Sequence, residues 1–305
     1  MRNLITLADF SSSEIERVFA ISEDLKSKHA QGLREPLLPG RVIALLFEKP
    51  SLRTRVSFEA GIVHLGGSSL FLGEEVGWGS RESIADFARV LSTYVDAIVV
   101  RAKSHQKLLK LAEHSTCSVI NGLTDYQHPC QALADLFTLR ELVGSLKGQT
   151  LAYVGDGNNV ARSLAIGCGR LGMRFALAAP KKYQFDRDFL AILKREVPQL
   201  KMTTTVDPRA AVRGAIAVYT DVWTSMGQES ESALRRQELA DYQVNEELLG
   251  GAPESAYFMH CLPARRGEEV TDAVIDGDSS IVVQQAANRL HVQKGILAWL
   301  LGAKG

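Results

Sequence analysis

Ser51-Leu52-Arg53-Thr54-Arg55 sets two hydroxyls and two guanidiniums directly after an apolar run, Val42 to Phe47, and the punctuation Glu48-Lys49-Pro50. A buried strand that ends in a turn and leads into a helix displays these five residues at the helix start. Guanidiniums offer fork-shaped donors to phosphate oxygens, and hydroxyls add more. The first helical turn contributes unpaired N–H groups and a partial positive charge. The chemistry that suits such a cluster is binding of a small phosphorylated molecule. A solvated helix start with two surface arginines, Arg53 and Arg55, has the same five letters, so the pattern needs company.

Further polar clusters follow other apolar runs. In His128-Pro129-Cys130-Gln131 the proline is pre-organised for a first helical position, so His128 and Gln131, three apart, project together. An imidazole beside a primary amide suits a carbonyl flanked by an amide-like group, and equally a cap histidine beside a surface glutamine. Arg101 ends the apolar stretch Ala97-Ile98-Val99-Val100, where a charge calls for a partner. Gly155-Asp156-Gly157-Asn158-Asn159-Val160 imitates a dinucleotide fingerprint but fails twice. Val160 replaces the third glycine, and the next strand ends in Leu177-Ala178-Ala179-Pro180 without the acid that holds a ribose. It reads as a tight turn presenting Asn158 or Asn159. Asp221, after a strand over 215–220, is placed to hold an ammonium group or to cap a surface loop, and Ser225-Met226-Gly227 has the make-up of a mobile loop. His260-Cys261-Leu262-Pro263 ends another strand; Cys261 there is an inert thiol or a polar contact for substrate.

The elements that must position these clusters alternate. A helix over 12–29, capped by Ser11 or Ser12, precedes strands over 42–47, 69–72, 97–101 and 118–121, with helices over 53–64, 83–94 and 105–113 between them. A helical segment over 131–143 leads to a second round: strand 150–154, helix 159–171, and strands 174–179, 215–220 and 257–261. A last helix covers 288–301. Such alternation predicts an α/β protein with two doubly wound parallel-sheet domains joined by bridging helices. The first domain is expected over 1–135, with the C-terminal helix 288–303 packing back on it, and the second over 150–287. In open α/β sheets ligands sit beyond the carboxyl ends of strands, and every cluster above falls there.

Bulk numbers narrow the class. The chain has 305 residues, 46% hydrophobic and 23% charged, with 35 basic and 35 acidic side chains. A zero net charge gives no field that favours nucleic acid or an anionic membrane, so an anion site must be local. No stretch approaches the length needed to span a bilayer, and the N-terminus lacks the apolar run of a signal peptide. Four scattered cysteines lack C-x-x-C spacing, so neither zinc nor a disulfide framework is expected. A cytoplasmic protein fits best.

Together the clusters resemble the aspartate/ornithine carbamoyltransferase family, and its ornithine branch. The family's Ser-Thr-Arg-Thr-Arg stands here as Ser51 to Arg55, and its His-Pro-x-Gln as His128 to Gln131. Asp-x-x-x-Ser-Met-Gly (Asp221 to Gly227) and His-Cys-Leu-Pro (His260 to Pro263) mark the ornithine branch, and the likeness runs on to Ala287-Asn288-Arg289. The resemblance implies transfer of a carbamoyl group from carbamoyl phosphate to the δ-amine of L-ornithine, giving L-citrulline and phosphate. It implies that Ser51, Leu52, Arg53, Thr54, Arg101, His128, Gln131, Cys261, Leu262 and Arg289 meet carbamoyl phosphate, with Thr54, Arg101, His128 and Cys261 acting in catalysis. Gln131 is expected to accept from the carbamoyl NH₂. Asn159, Asp221, Ser225 and Met226 are expected to hold ornithine. No metal or cofactor is needed, since carbamoyl phosphate is already activated, and a homotrimer or an assembly of trimers is expected.

Three positions depart from the family pattern. Leu52 replaces a threonine, Gly77 stands where many relatives carry a glutamine or histidine, and Ala287 stands where glutamate is common. A transferase for putrescine or an N-acylated ornithine shares most of these residues. A nucleotide-dependent oxidoreductase is disfavoured by the broken glycine fingerprint.

Overall fold

A computed structural model describes residues 2–224 and 228–302. The chain divides into two units, Met1–Leu133 with Ala287–Gly305, and Ala134–Ala286. Each holds one parallel sheet wound on both faces, the fold class expected from the alternation of elements.

In the first unit Ser11 caps α1 (Ser12–Ala30) through a reciprocal pair: Ser11 Oγ accepts from Glu14 N, and the Glu14 carboxylate accepts from Ser11 N at 2.9 Å. β1 (Val42–Phe47), α2 (Leu52–His64), β2 (Ser68–Leu72), α3 (Ile84–Tyr94), β3 (Ala97–Arg101), α4 (His105–His114) and β4 (Ser118–Leu123) follow, and α5 (Pro129–Val143) leaves for the second unit. The all-parallel sheet has the order β2-β1-β3-β4. β1 and β3 are central, which explains their near-continuous apolar runs; β2 is an edge that leaves Leu70 and Phe71 exposed. On one face Ala44, Leu46, Ile98, Val100 and Val119 pack with Trp78, Leu108 and Leu111. The chain turns to one side of β1 for β2 and to the other for β3. The carboxyl ends of β1 and β3 therefore flank the switch point of the sheet, and Phe47 pairs there with Arg101.

The second unit repeats the scheme: β5 (Thr150–Val154), α6 (Asn159–Arg170), β6 (Arg174–Ala178), α7 (Arg187–Glu196), β7 (Lys201–Thr205), α8 (Pro208–Val212), β8 (Ala217–Thr220), α9 (Ser232–Leu239), α10 (Glu246–Gly250), β9 (Tyr257–His260) and α11 (Asp272–Ile275). Its parallel strands lie in the order β7-β6-β5-β8-β9, so the switch point falls between β5 and β8. α7, β7 and the short helices α8 to α11 were not anticipated. β7 is a half-exposed edge of lysine and threonines with no apolar run to announce it, whereas α7 carried a usable signal in Phe189 and Leu193, four apart and buried. β9 closes at His260, so Cys261 lies beyond the strand. No helix among the described residues is long and apolar enough to cross a membrane.

α12 (Val282–Leu301) begins in the second unit and ends in the first, where it packs on α1 at Gly295. A Cβ at Gly295 would lie 2.2 Å from Ser22 Oγ and 2.8 Å from the Val18 carbonyl oxygen. Alanine is intrinsically about 1 kcal/mol better than glycine inside a helix, but overpacking costs about 1–3 kcal/mol. Gly295→Ala is therefore expected to lower the unfolding free energy by up to about 2 kcal/mol in urea titration; an unchanged or higher midpoint would show that α1 can withdraw.

Candidate functional site

The anion-binding half grows from the switch point of the first sheet. Ser51 precedes α2 with extended backbone and makes no capping bond; its Oγ donates instead to Thr54 Oγ1 at 3.0 Å. Arg289 of α12, 3% exposed, donates from Nη2 to the same Thr54 oxygen at 2.8 Å and from Nη1 to Gln131 Oε1 at 2.6 Å. Three helices, α2, α5 and α12, are thus tied together by one guanidinium. With both lone pairs of Thr54 Oγ1 taken, its hydroxyl proton is available to donate. One lone pair of the Gln131 carbonyl is likewise spent on Arg289, which narrows the acceptor role expected of Gln131.

His128 opens α5 as expected and is 4% exposed. Burial, followed by the charges of Arg289 and Arg101, holds its pKa well below the usual imidazole value, so the ring is neutral near pH 7. A neutral imidazole among guanidiniums serves as a hydrogen-bonding partner for a polarised oxygen. Cys130, beside it in the sequence, is a fully buried thiol pushed up to about 12 by desolvation and has no reactive character.

Around the turn the outcome is mixed. Arg53 is half-buried in the first turn of α2. Arg55, offered by the sequence as a second phosphate donor, is spent elsewhere: Nε donates to Glu59 at 3.0 Å and the guanidinium lies 3.8 Å from the Phe71 ring centroid. At i and i+4 on one helix face, Arg55 and Glu59 find each other before any ligand does. The Leu52 side chain is 75% exposed, so this position can serve a ligand only through its backbone. Gly77 has φ 61°, a left-handed conformation that suits glycine and explains its place at that turn.

The second half grows from the switch point between β5 and β8. Asp221, 7% exposed, accepts from Asn158 Nδ2 at Oδ2 (2.7 Å), from the Cys261 thiol at Oδ1 (3.0 Å) and from Val222 N at Oδ1 (2.8 Å). Asn158 also caps α6, its Oδ1 accepting from Val160 N, Ala161 N and the Tyr153 hydroxyl. The resemblance had pointed to Asn159, whose Oδ1 accepts from Val160 N; Asn158 is the residue bonded to Asp221. Ser225 and Met226, the other two positions expected to hold the amine, lie outside the described residues.

Two supporting groups lie outside the residues expected to meet substrate, Arg235 without any sequence signal and His260 as the first residue of the His-Cys-Leu-Pro run. Arg235 of α9, 4% exposed, donates to the Trp223 carbonyl at 2.6 Å, pairs with Asp156 and lies 4.6 Å over the Tyr183 ring. It anchors both chain segments that carry Asn158 and Asp221. Asp156 is raised to about 6 by burial, against the opposing pull of Arg235. His260, 1% exposed, shares a 3.0 Å hydrogen bond between Nε2 and Glu269 Oε1, while Nδ1 accepts from Leu262 N at 2.9 Å. Leu262, at φ 57°, is held by that bond in a left-handed conformation. Asp221, His260 and Cys261 bring one ligand atom each within 4.8 Å of one another, a spacing open to a metal ion. Both nitrogens of His260 are already engaged, so a cation there would have to displace Leu262 N or Glu269.

Comparison with known proteins agrees with this division of labour. A family model described as the aspartate/ornithine carbamoyltransferase carbamoyl-P binding domain matches residues 2–141, and one described as the Asp/Orn binding domain matches residues 147–300. The ornithine carbamoyltransferase of Geobacillus stearothermophilus is 50% identical over 303 residues, 98% of this chain and 97% of the relative. That of Bacillus subtilis is 48% identical over 303 residues, 98% of this chain and 94% of its own. The solved structure of the Pyrococcus furiosus ornithine carbamoyltransferase superposes with a TM-score of 0.96 at 45% identity, covering 100% of this chain and 98% of that one.

The neutral state of His128 has a measurable consequence. In the unfolded chain its pKa is near 6.5, while the folded value is well below. The unfolded state therefore binds the proton first, and stability falls as pH drops below about 6.5, at up to about 1.4 kcal/mol per pH unit. His128→Gln is expected to flatten this acid limb of the unfolding free energy, measured by denaturation between pH 7 and the acid transition; an unchanged slope would place the titrating group elsewhere.

Proposed function

The chain belongs to the aspartate/ornithine carbamoyltransferase family, and on that premise we propose that it transfers the carbamoyl group of carbamoyl phosphate to the δ-amine of L-ornithine, giving L-citrulline and phosphate. The observation that carries the anion half is the convergence of Ser51 and Arg289 on Thr54 at the start of α2, with Gln131 bonded to the same guanidinium. In this reading the phosphate rests on Ser51, Arg53, Thr54 and the backbone N–H groups from Leu52 onward. Arg101, His128 and Thr54 donate to the carbamoyl oxygen, where negative charge builds as the carbon becomes tetrahedral; such preorganised donors are commonly the largest catalytic contribution. Gln131 meets the carbamoyl nitrogen. A C–N bond forms, the C–O bond breaks with its electron pair leaving on phosphate, and the proton lost by the amine passes to the departing phosphate or to solvent.

For the acceptor, the carboxylate of Asp221, presented by Asn158 and Cys261, suits an ammonium-bearing substrate and repels a dicarboxylate. That supports ornithine over aspartate. The δ-amine attacks as a neutral group although its free pKa is near that of lysine, about 10.4, so binding must favour loss of its proton. Asn159, Ser225 and Met226 complete this side in the proposal, and Leu262 and Cys261 are assigned to carbamoyl phosphate. The activated acyl donor needs no metal or cofactor. The carbamoyl phosphate domain is taken as 1–135 with helix 288–303, and the ornithine domain as 150–287. A cytoplasmic homotrimer, or a larger assembly of trimers, is part of the same proposal.

Two variants separate the halves. Arg53→Ala is expected to lower kcat/KM by about 10²–10³-fold, the usual cost of one donor to a developing anion; near-normal turnover would sink the phosphate assignment. Asp221→Ala is expected to raise KM for the amine at least about tenfold, a loss of about 1.4 kcal/mol, with KM for carbamoyl phosphate little changed. Equal effects on both substrates would mean the wrong pocket. The acceptor itself is settled by assaying ornithine, putrescine, N-acetylornithine and aspartate for ureido product, with ornithine expected to dominate.

A further inference from the structure

Within the first unit, three imidazoles meet where the carboxyl ends of α1 and α2 approach α12. The His29 ring centroid lies 5.1 Å from that of His64 and 5.2 Å from that of His291. Each of the three Nδ1 atoms is buried without a hydrogen-bond partner among the described residues. His291 is 8% exposed, and Lys294, one turn further along α12, is 2% exposed. The Lys294 ammonium makes one hydrogen bond to a described residue, the Leu25 carbonyl at 3.2 Å. A buried ammonium held by a single neutral acceptor is costly.

The charged groups facing this cluster share one sign. Arg34, Lys26 and Lys294 surround the rings. Lys26 is turned to Asn288 Oδ1 at 2.8 Å, while the nearby carboxylates of Asp24 and Glu35 are both occupied by Lys28. Burial first, and then these cations, push His291 down to about 3 and Lys294 to about 8, and lower His29 and His64 as well. The arrangement combines donors, potential donors and positive potential.

We infer that this junction of α1, α2 and α12 is a second anion site, taking a small oxyanion of the phosphate or sulfate class. Half-buried His29 and His64 form its outer side and buried His291 and Lys294 its inner side. It is distinct from the phosphate turn at Ser51–Thr54, since His64 lies eleven positions beyond Arg53 on α2, about 16 Å at 1.5 Å per residue. It does not rest on the transfer reaction proposed above. Binding draws protons onto the imidazoles, which then donate from Nδ1 to the oxyanion, so affinity falls as pH rises through the range in which the free rings are neutral.

The test uses full-length Arg53→Ala protein, which disables the phosphate turn, titrated with inorganic phosphate and with sulfate at pH 6 and pH 8. Side-chain NMR of His29, His64 and His291 reports the site directly. The expected result is a saturable shift of these resonances, at least about tenfold tighter at pH 6, with proton uptake in calorimetry. Adding His64→Gln or Lys294→Met is expected to weaken binding about tenfold or more. His64→Gln, at a half-exposed position, keeps the test readable where Lys294→Met fails to fold. Resonances that stay unmoved up to millimolar phosphate, or shifts that persist unchanged in the His64→Gln variant, overturn the site.

Discussion

The buried guanidinium of Arg289 is the interaction on which the anion half depends. Removing such a charge from water costs several kcal/mol unless it is well bonded, and the hydrogen bonds it makes to Thr54 and Gln131 go to neutral oxygens. A carboxylate in their place would cancel its field. These two neutral acceptors orient the guanidinium without adding a compensating charge of their own. The same field, added to burial, keeps His128 neutral. One placement therefore sets the geometry of Thr54, the orientation of Gln131 and the protonation of His128.

That placement requires α12 to come back from the second unit to the first, and the sequence discloses this return only weakly. The last helix was legible from its apolar residues, and those residues also led to the expectation that it packs back on the first domain. The physical means, contact at Gly295 close enough to exclude a methyl group, has no local signature. The strand ends were far more legible, because an apolar run followed by polar punctuation is a local pattern. Ser51, Arg101, His128 and Asp221 were all found this way, and all stand at or just beyond strand ends or at a helix start.

Residues that act across long separations were not legible. Asn158 reaches Asp221 across 63 positions, and Arg235 reaches Asp156 across 79. An asparagine beside another asparagine, or an arginine beside Arg236 on an amphipathic helix, carries no sign of which one turns inward. Arg55 shows the converse. Its type and position suited phosphate, yet a glutamate one turn away and an aromatic ring on the neighbouring edge strand claim it. Composition identifies what a side chain can do, and only packing decides what it is left to do.

The acceptor half shows how far hydrogen-bond counting carries the chemistry. An ionised carboxylate has about four lone-pair sites, and Asp221 spends three, on Asn158, Cys261 and Val222. A single site remains, enough for one N–H of an ammonium group in a fixed direction. Asn158 is itself fixed by capping α6 and by the Tyr153 hydroxyl, whose own ionisation burial pushes well above the usual phenol range. The carboxylate is thus aimed by groups that stay neutral, as Arg289 is in the other unit. Each half carries charge of the sign opposite to its proposed ligand, guanidiniums in the first and the Asp221 carboxylate in the second, and neutral hydrogen-bonding groups orient Arg289 and Asp221. The two sheets arrive at this by the same route, since in each the charge sits beside the point where strand order reverses and the backbone of two neighbouring strands diverges to leave room for a ligand.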